Sequence, residues 1–96
     1  MKKAKKKNKR SRVFIWDEPG LKAFAKNLKK VRKEQGFTQE SLANESGMAV
    51  SQIARIETIK INPSLSTVFQ IARTLKVPIS RLFDFNLPKG DPNKGK

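Results

Sequence analysis

The amino-acid sequence predicts an all-α fold, a bundle of five helices, and three observations carry that expectation. Apolar residues between positions 18 and 83 recur three and four apart, as on one face of a helix, rather than alternating as in a strand. Gly, Pro, Ser, Thr or Asp stands wherever one such run gives way to the next. The chain has 96 residues, which allows one small core and no more.

Each element has its own signals. Leu21, Phe24, Ala25, Leu28 and Val31 share a face of a first helix expected over 18–35. Asp17, Glu18 and Pro19 give it an acidic, proline-led first turn; this adjacent carboxylate pair is a cap rather than an acid–base dyad. Lys22, Lys26, Lys29 and Lys33 form a stripe opposite the apolar face and read as a solvated surface. Gly36 stops this helix, and Thr38 caps a second over 39–46, with Phe37 and Leu42 placed as a hydrophobic staple. Gly47 ends the second helix, and Met48, Ile53 and Ile56 give a third, over 50–57, its buried side. Ser64 caps a fourth over 65–75, lined by Leu65, Val68, Phe69, Ile71, Ala72 and Leu75. A short fifth, over 79–83, follows Val77-Pro78 with Ile79, Leu82 and Phe83. The flanks Val13–Trp16 and Phe83–Leu87 are β-branched, aromatic or alternating, and are expected as short strands that pack on the helices or pair across a dimer.

Charge narrows the function classes. The 22 Lys and Arg outnumber the 8 Asp and Glu, for a formal charge of +14. Residues 1–12 hold eight of the bases and no acid, and are expected as a disordered basic arm; residues 88–96, broken by Pro and Gly, form a second basic tail. The folded domain is then 13–87. Such a balance calls for a polyanionic partner, either nucleic acid or an anionic membrane face. The longest apolar run, Val13–Trp16, is far below the ~20 residues a membrane helix needs, so no membrane span is expected. With no Cys and no His, the chain has no disulfide, no Cys/His metal site, no thiol nucleophile and no Ser-His relay. No metal, cofactor or enzymatic activity is expected, and the small size leaves no room for a separate effector domain.

A short helix, a glycine turn and a second short helix form the arrangement that projects a helix into a DNA major groove. The stretch from Leu21 to Phe83 resembles the phage-repressor-like, XRE-type helix-turn-helix family. The residues that carry this resemblance are Val31-Arg32, Gly36-Phe37-Thr38-Gln39, Leu42-Ala43, Gly47, Ile56-Glu57, Asn62-Pro63-Ser64-Leu65, Ile71-Ala72, Leu75 and Val77. The resemblance implies a sequence-specific transcriptional regulator on double-stranded DNA, usually a two-fold dimer on a pseudo-palindromic operator, acting in the cytoplasm at the nucleoid. Its base-reading positions fall on Val50, Ser51 and Arg55, with Gln52 beside them. Arg55 has the fork that matches guanine O6 and N7, and Ser51 can bond to several bases.

Gln39, at the start of the second helix, is implied as a DNA-phosphate contact, joined by Thr38, Thr58, Lys60 and Asn62. Arg32 and Glu57 are implied as a structural ion pair. Two positions depart from the family pattern. Ala49 replaces the usual Ser or Thr cap, at a cost of about 0.5–2 kcal/mol, and Ile59 replaces a usual glycine, which argues against a left-handed turn after the third helix. Two other functions fit the same residues. One is an antitoxin of this fold that holds a toxin and represses its own operon, marked by a neighbouring toxin gene. The other is a sequence-indifferent RNA or nucleoid binder driven by the arm, marked by competition from bulk nucleic acid. The arm itself fits DNA wrapping, RNA binding, a localisation signal or solubility, because lysines read phosphate and carry no base code.

Overall fold

The structure, a computed structural model, describes residues 15–90. The basic arm at 1–12, Val13 and Phe14 of the proposed first strand, and tail residues 91–96 lie outside the described residues. Five helices follow in order: α1 (Glu18–Glu34), α2 (Gln39–Ser46), α3 (Val50–Glu57), α4 (Leu65–Leu75) and α5 (Ile79–Leu82). α2 packs on α3 and on α4, while α1 lies along α3 and α5. Leu28, Leu42, Ile53, Ile56, Ile71, Leu75, Leu82 and Val31 are fully enclosed between them, so every helix contributes to the same core.

The helix starts follow the side-chain chemistry of their caps. Asp17 accepts from the Gly20 N–H, Thr38 from the Ser41 N–H and Ser64 from the Thr67 N–H. Ser41 reaches back to the Thr38 N–H at 2.9 Å and closes a capping box with a serine at the third position. Ala49 supplies no side-chain cap, and the burial of Ile53 and Ile56 holds α3 against α1 and α2 instead.

The first four helix ends share one hydrogen-bond pattern. After α1, Gly36 N–H bonds to the Lys33 carbonyl and Phe37 N–H to the Arg32 carbonyl; after α3, Ile59 N–H bonds to the Ile56 carbonyl and Lys60 N–H to the Arg55 carbonyl. The Met48 N–H to Ala43 and Val77 N–H to Ala72 bonds close α2 and α4 in the same way. The pattern needs one left-handed residue at each end, and these are Gly36, Gly47, Ile59 and Lys76. The expectation that Ile59 argues against a left-handed turn there is therefore corrected: Ile59 adopts φ 53°. Its backbone strain is offset by two carbonyls that would otherwise be left without donors.

The flanking strands are also absent among the described residues. Ile15 and Trp16 are not in a strand, and the chain after α5 turns back on itself, with Phe83 N–H bonded to the Ser80 carbonyl and Phe85 N–H to the Phe83 carbonyl. Aromatic packing takes over the role given to strand pairing. The Phe83 ring lies 5.3 Å from Phe24 of α1 and 6.5 Å from Phe85.

Candidate nucleic-acid interface

Burying Ile53 and Ile56 leaves one side of α3 free. Ser51 and Arg55 are exposed on it, Val50 is 39% exposed at its start, and Gln52 is half-buried at its edge. Three of the four residues expected to read bases therefore share an open surface, and that surface adjoins the start of α2. Arg32, Lys33, Thr38, Gln39 and Val50 line a common hollow there. The N–H groups of Gln39 and Glu40 at the start of α2 have no intrahelical partner, because an α-helix leaves its first turn of donors unpaired and the Thr38 cap takes that of Ser41.

The residues expected at phosphates divide by what else they do. The Thr38 hydroxyl is engaged in the α2 cap, accepting from Ser41 N–H and donating to Ser41 Oγ. Gln39 donates from Nε2 to Glu57 Oε1 at 3.0 Å, so its amide is held at the junction of α2 and α3. Thr58 donates its hydroxyl to the Ala54 carbonyl at 2.8 Å, and Lys60 is exposed beyond it. Asn62 stands apart from this group. It lines an apolar groove with Pro63, Leu65, Phe24 and Phe83, at the start of α4.

Under the surface, Arg32 ties three elements together. Its Nε donates to Glu57 Oε2 at 2.7 Å, Nη2 to Oε1 at 3.0 Å and Nη1 to the Phe37 carbonyl at 2.9 Å. The two side chains are 6% and 2% exposed. This is a planar, bidentate arrangement in which each buried charge is satisfied. Among the described residues no buried side-chain N or O lacks a partner.

Three amide side chains were not singled out in the sequence. Asn27 donates to the Arg81 and Leu82 carbonyls at 2.9 Å each and fastens α5 to α1. Gln35 donates to the Leu75 carbonyl and Gln70 to the Ser46 carbonyl, each satisfying the end of another helix. Asn27 alone carried a legible signal, as a polar residue on the edge of the α1 apolar face. Among the described residues no group of His, Cys, Asp and Glu could hold a metal ion, and no helix is long and apolar enough to cross a membrane.

Comparison with known proteins decides the family. The helix-turn-helix family model HTH_3 matches residues 28–82, from the middle of α1 to the end of α5. The chain belongs to the HTH_3 helix-turn-helix family. It is similar to the immunity repressor protein of Bacillus phage phi105, with 38% identity over 55 residues, 57% of this chain and 38% of the repressor. The chain thus spans under two fifths of that relative's length. Among solved structures it is similar to the restriction-modification controller protein C.AhdI from Aeromonas hydrophila, with 32% identity, a TM-score of 0.63, and coverage of 66% of this chain and 96% of the controller. It is also similar to the controller C.Esp1396I bound to a 19 base pair DNA duplex, with 31% identity, a TM-score of 0.62, and coverage of 67% and 85%. In this HTH_3 chain the matched stretch contains α2, α3 and the whole Arg32–Glu57–Gln39 network.

Proposed function

We propose that this chain is a sequence-specific transcriptional regulator that binds double-stranded DNA, with α3 in the major groove and the start of α2 on the phosphate backbone. One observation carries the reading: α3 turns Ile53 and Ile56 into the core and Ser51 and Arg55 to solvent, beside the free N–H groups that open α2. Arg55 reads guanine through its two-pronged donor edge, and Ser51, Gln52 and Val50 complete the base contacts. Gln39, Lys60, Thr58 and Thr38 position the duplex through its phosphates, while Asn62, in the apolar groove at the start of α4, falls outside the contact set. The matched relatives' names as repressor and controllers favour this reading over an antitoxin with a toxin partner, and the site of action is then the nucleoid in the cytoplasm.

The regulator works as a two-fold homodimer in this reading. Leu65 and Phe69 lie one helical turn apart on α4, Ile79 opens α5 and Phe83 caps its C-terminal end, and they are 65%, 41%, 38% and 44% exposed. So much apolar side chain on the outer side of two neighbouring helices fits a second copy. Sedimentation of the wild type and of Phe69→Glu at micromolar concentration tests this, with a dimer expected for the first and a monomer for the second. A wild-type monomer refutes the dimer.

DNA reading is tested by selecting bound duplexes from a random pool and measuring Arg55→Ala on the selected site and on random duplex. The expected loss is about 1–3 kcal/mol on the selected site and near zero on random duplex, which cuts their ratio by up to ~100-fold. If Arg55 held a phosphate instead, both affinities would fall together and the salt slope would drop by about one unit. If neither moves, α3 is not the reading helix.

A further inference from the structure

The lysine stripe of α1, which the sequence presents as a solvated face, sits against the far end of the candidate interface. Lys22, Lys26 and Lys29 line one hollow with Glu57, Thr58 and Ile59, where α3 ends. Lys33, one turn further along α1, lines the other hollow with Thr38, Gln39 and Val50, where α2 and α3 begin. α1 packs along α3, so its lysine edge runs beside the recognition helix from one end to the other.

Charge on this edge has little compensation: Glu40 lines the second hollow beside Lys33 but forms no ion pair with it. Among the described residues the ion pairs join Arg32 to Glu57 and Arg81 to Glu34 and Asp84, and none of the four lysines takes part. Glu57, the one acid in the first hollow, is committed to the Arg32 guanidinium and the Gln39 amide. Four like charges along one helix edge repel each other by the same rule that makes i,i+4 like pairs unfavourable. Water and salt screen that repulsion in the free protein, a polyanion relieves it further, and the position of the edge beside α3 points to the bound duplex as that polyanion. From Lys22 to Lys33 the helix rises about 16 Å, and the same length of duplex axis holds about five phosphates of one strand.

We propose that Lys22, Lys26, Lys29 and Lys33 form a backbone-gripping edge of the DNA interface, which adds sequence-independent phosphate contacts flanking the bases read by α3. This rests on the DNA-binding reading above and extends it to a face that reading leaves idle. Lysine suits the task, because a point charge on a flexible stem follows a phosphate without demanding one geometry.

The test compares two double variants, each of which removes two positive charges. Lys26→Gln/Lys29→Gln strips the middle of the edge, while Lys76→Gln/Lys89→Gln removes exposed lysines that line neither hollow. Lys26 and Lys29 lie within α1, where Lys and Gln have similar helix propensities, and Lys76 and Lys89 are exposed outside the helices, so both variants should fold, which circular dichroism checks. Affinity is measured against salt on the selected site and on a random-sequence duplex of about 30 base pairs. The edge variant should lose about 1–2 units of the log K against log salt slope per protomer, equally on both duplexes, and keep its preference between them. The control pair should keep the wild-type slope.

An unchanged slope in the edge variant, with wild-type protein binding DNA, overturns the edge and leaves the function standing. Equal loss in both variants also overturns it, because the lysines then act through net charge rather than contact. Unchanged DNA slopes together with lost binding to phosphatidylglycerol vesicles would assign the stripe to a membrane surface instead. A wild type that binds no duplex overturns the function and the edge together.

Discussion

Removing the Glu57 carboxylate should be among the most damaging single changes in this domain, although it deletes no apolar contact of note. In Glu57→Ala, Arg32 keeps its bond to the Phe37 carbonyl and loses the two that it makes to Glu57. Its side chain is 6% exposed, so water does not replace the lost partner freely. A buried charge stranded in this way costs about 3–5 kcal/mol, against about 1 or less for an exposed pair. Gln39→Ala, by contrast, takes one donor from Glu57 and leaves the bidentate pair intact, at about 0.5–1.5 kcal/mol.

Urea unfolding followed by circular dichroism measures both. Total stability for a domain of this size is about 5–15 kcal/mol, so the loss should appear as a large fall in the unfolding midpoint. If Glu57→Ala is already unfolded in buffer, Glu57→Gln gives the milder version, because it keeps one carbonyl oxygen for the guanidinium. The double variant Arg32→Met/Glu57→Leu removes both charges together and should fall within about 2 kcal/mol of wild type, since the desolvation cost of the pair goes with its attraction. The coupling in that cycle should then exceed about 3 kcal/mol. Glu57→Ala costing under about 1 kcal/mol at unchanged m-value would refute the reasoning, because the pair would then behave as a solvated one.

Three further outcomes follow from single contacts. Asn27→Ala strands the Leu82 carbonyl and takes one donor from the Arg81 carbonyl, which keeps the Asp84 N–H, and should cost about 1–3 kcal/mol after the better helix propensity of Ala is allowed for, read by the same urea titration. Gly47→Ala should cost about 1 kcal/mol even though a Cβ there would meet nothing within 4 Å, because the whole penalty lies in the left-handed φ of 78°. Ala49→Ser should raise stability by about 0.5–2 kcal/mol by supplying the missing cap of α3, seen as a higher thermal midpoint; no change would mean that the first turn of α3 gains nothing from a side-chain acceptor.

The helices were legible because all show apolar spacing and α1, α2 and α4 are announced a second time by a side-chain cap. Thr38 and Ser64 stand one residue before their helices, and the first residues of α2, α3, α4 and α5 fall where the sequence placed them. What the sequence overstated was the inward face of α4 and α5. Leu65, Phe69, Ile79 and Phe83 satisfy the helical period as well as Val68, Ile71 and Leu82 do, yet remain exposed. Periodicity identifies the apolar side of a helix and not how much of it one small core can cover. The lysine edge meets a related limit: opposite the apolar face is a statement about one helix, and only the packing of α1 along α3 decides what that side adjoins.

The turn after α3 marks a different limit. A rule tied to residue type expects glycine at a left-handed position and fails at Ile59 and Lys76. A rule tied to hydrogen bonds would have succeeded. Each of these four helix ends leaves carbonyls to satisfy, and the residue after the left-handed position must turn back to supply an N–H. Phe37, Met48 and Val77 at that next position all pack against the core, so their burial pulls the chain into the turn. Lys60 does not pack there, and Ile61 one residue later does. At the end of α3 the apolar anchor is thus displaced by one residue and Ile59 is held left-handed without a glycine. This follows if the core contact of Ile61, and not the identity of residue 59, determines the path of the chain.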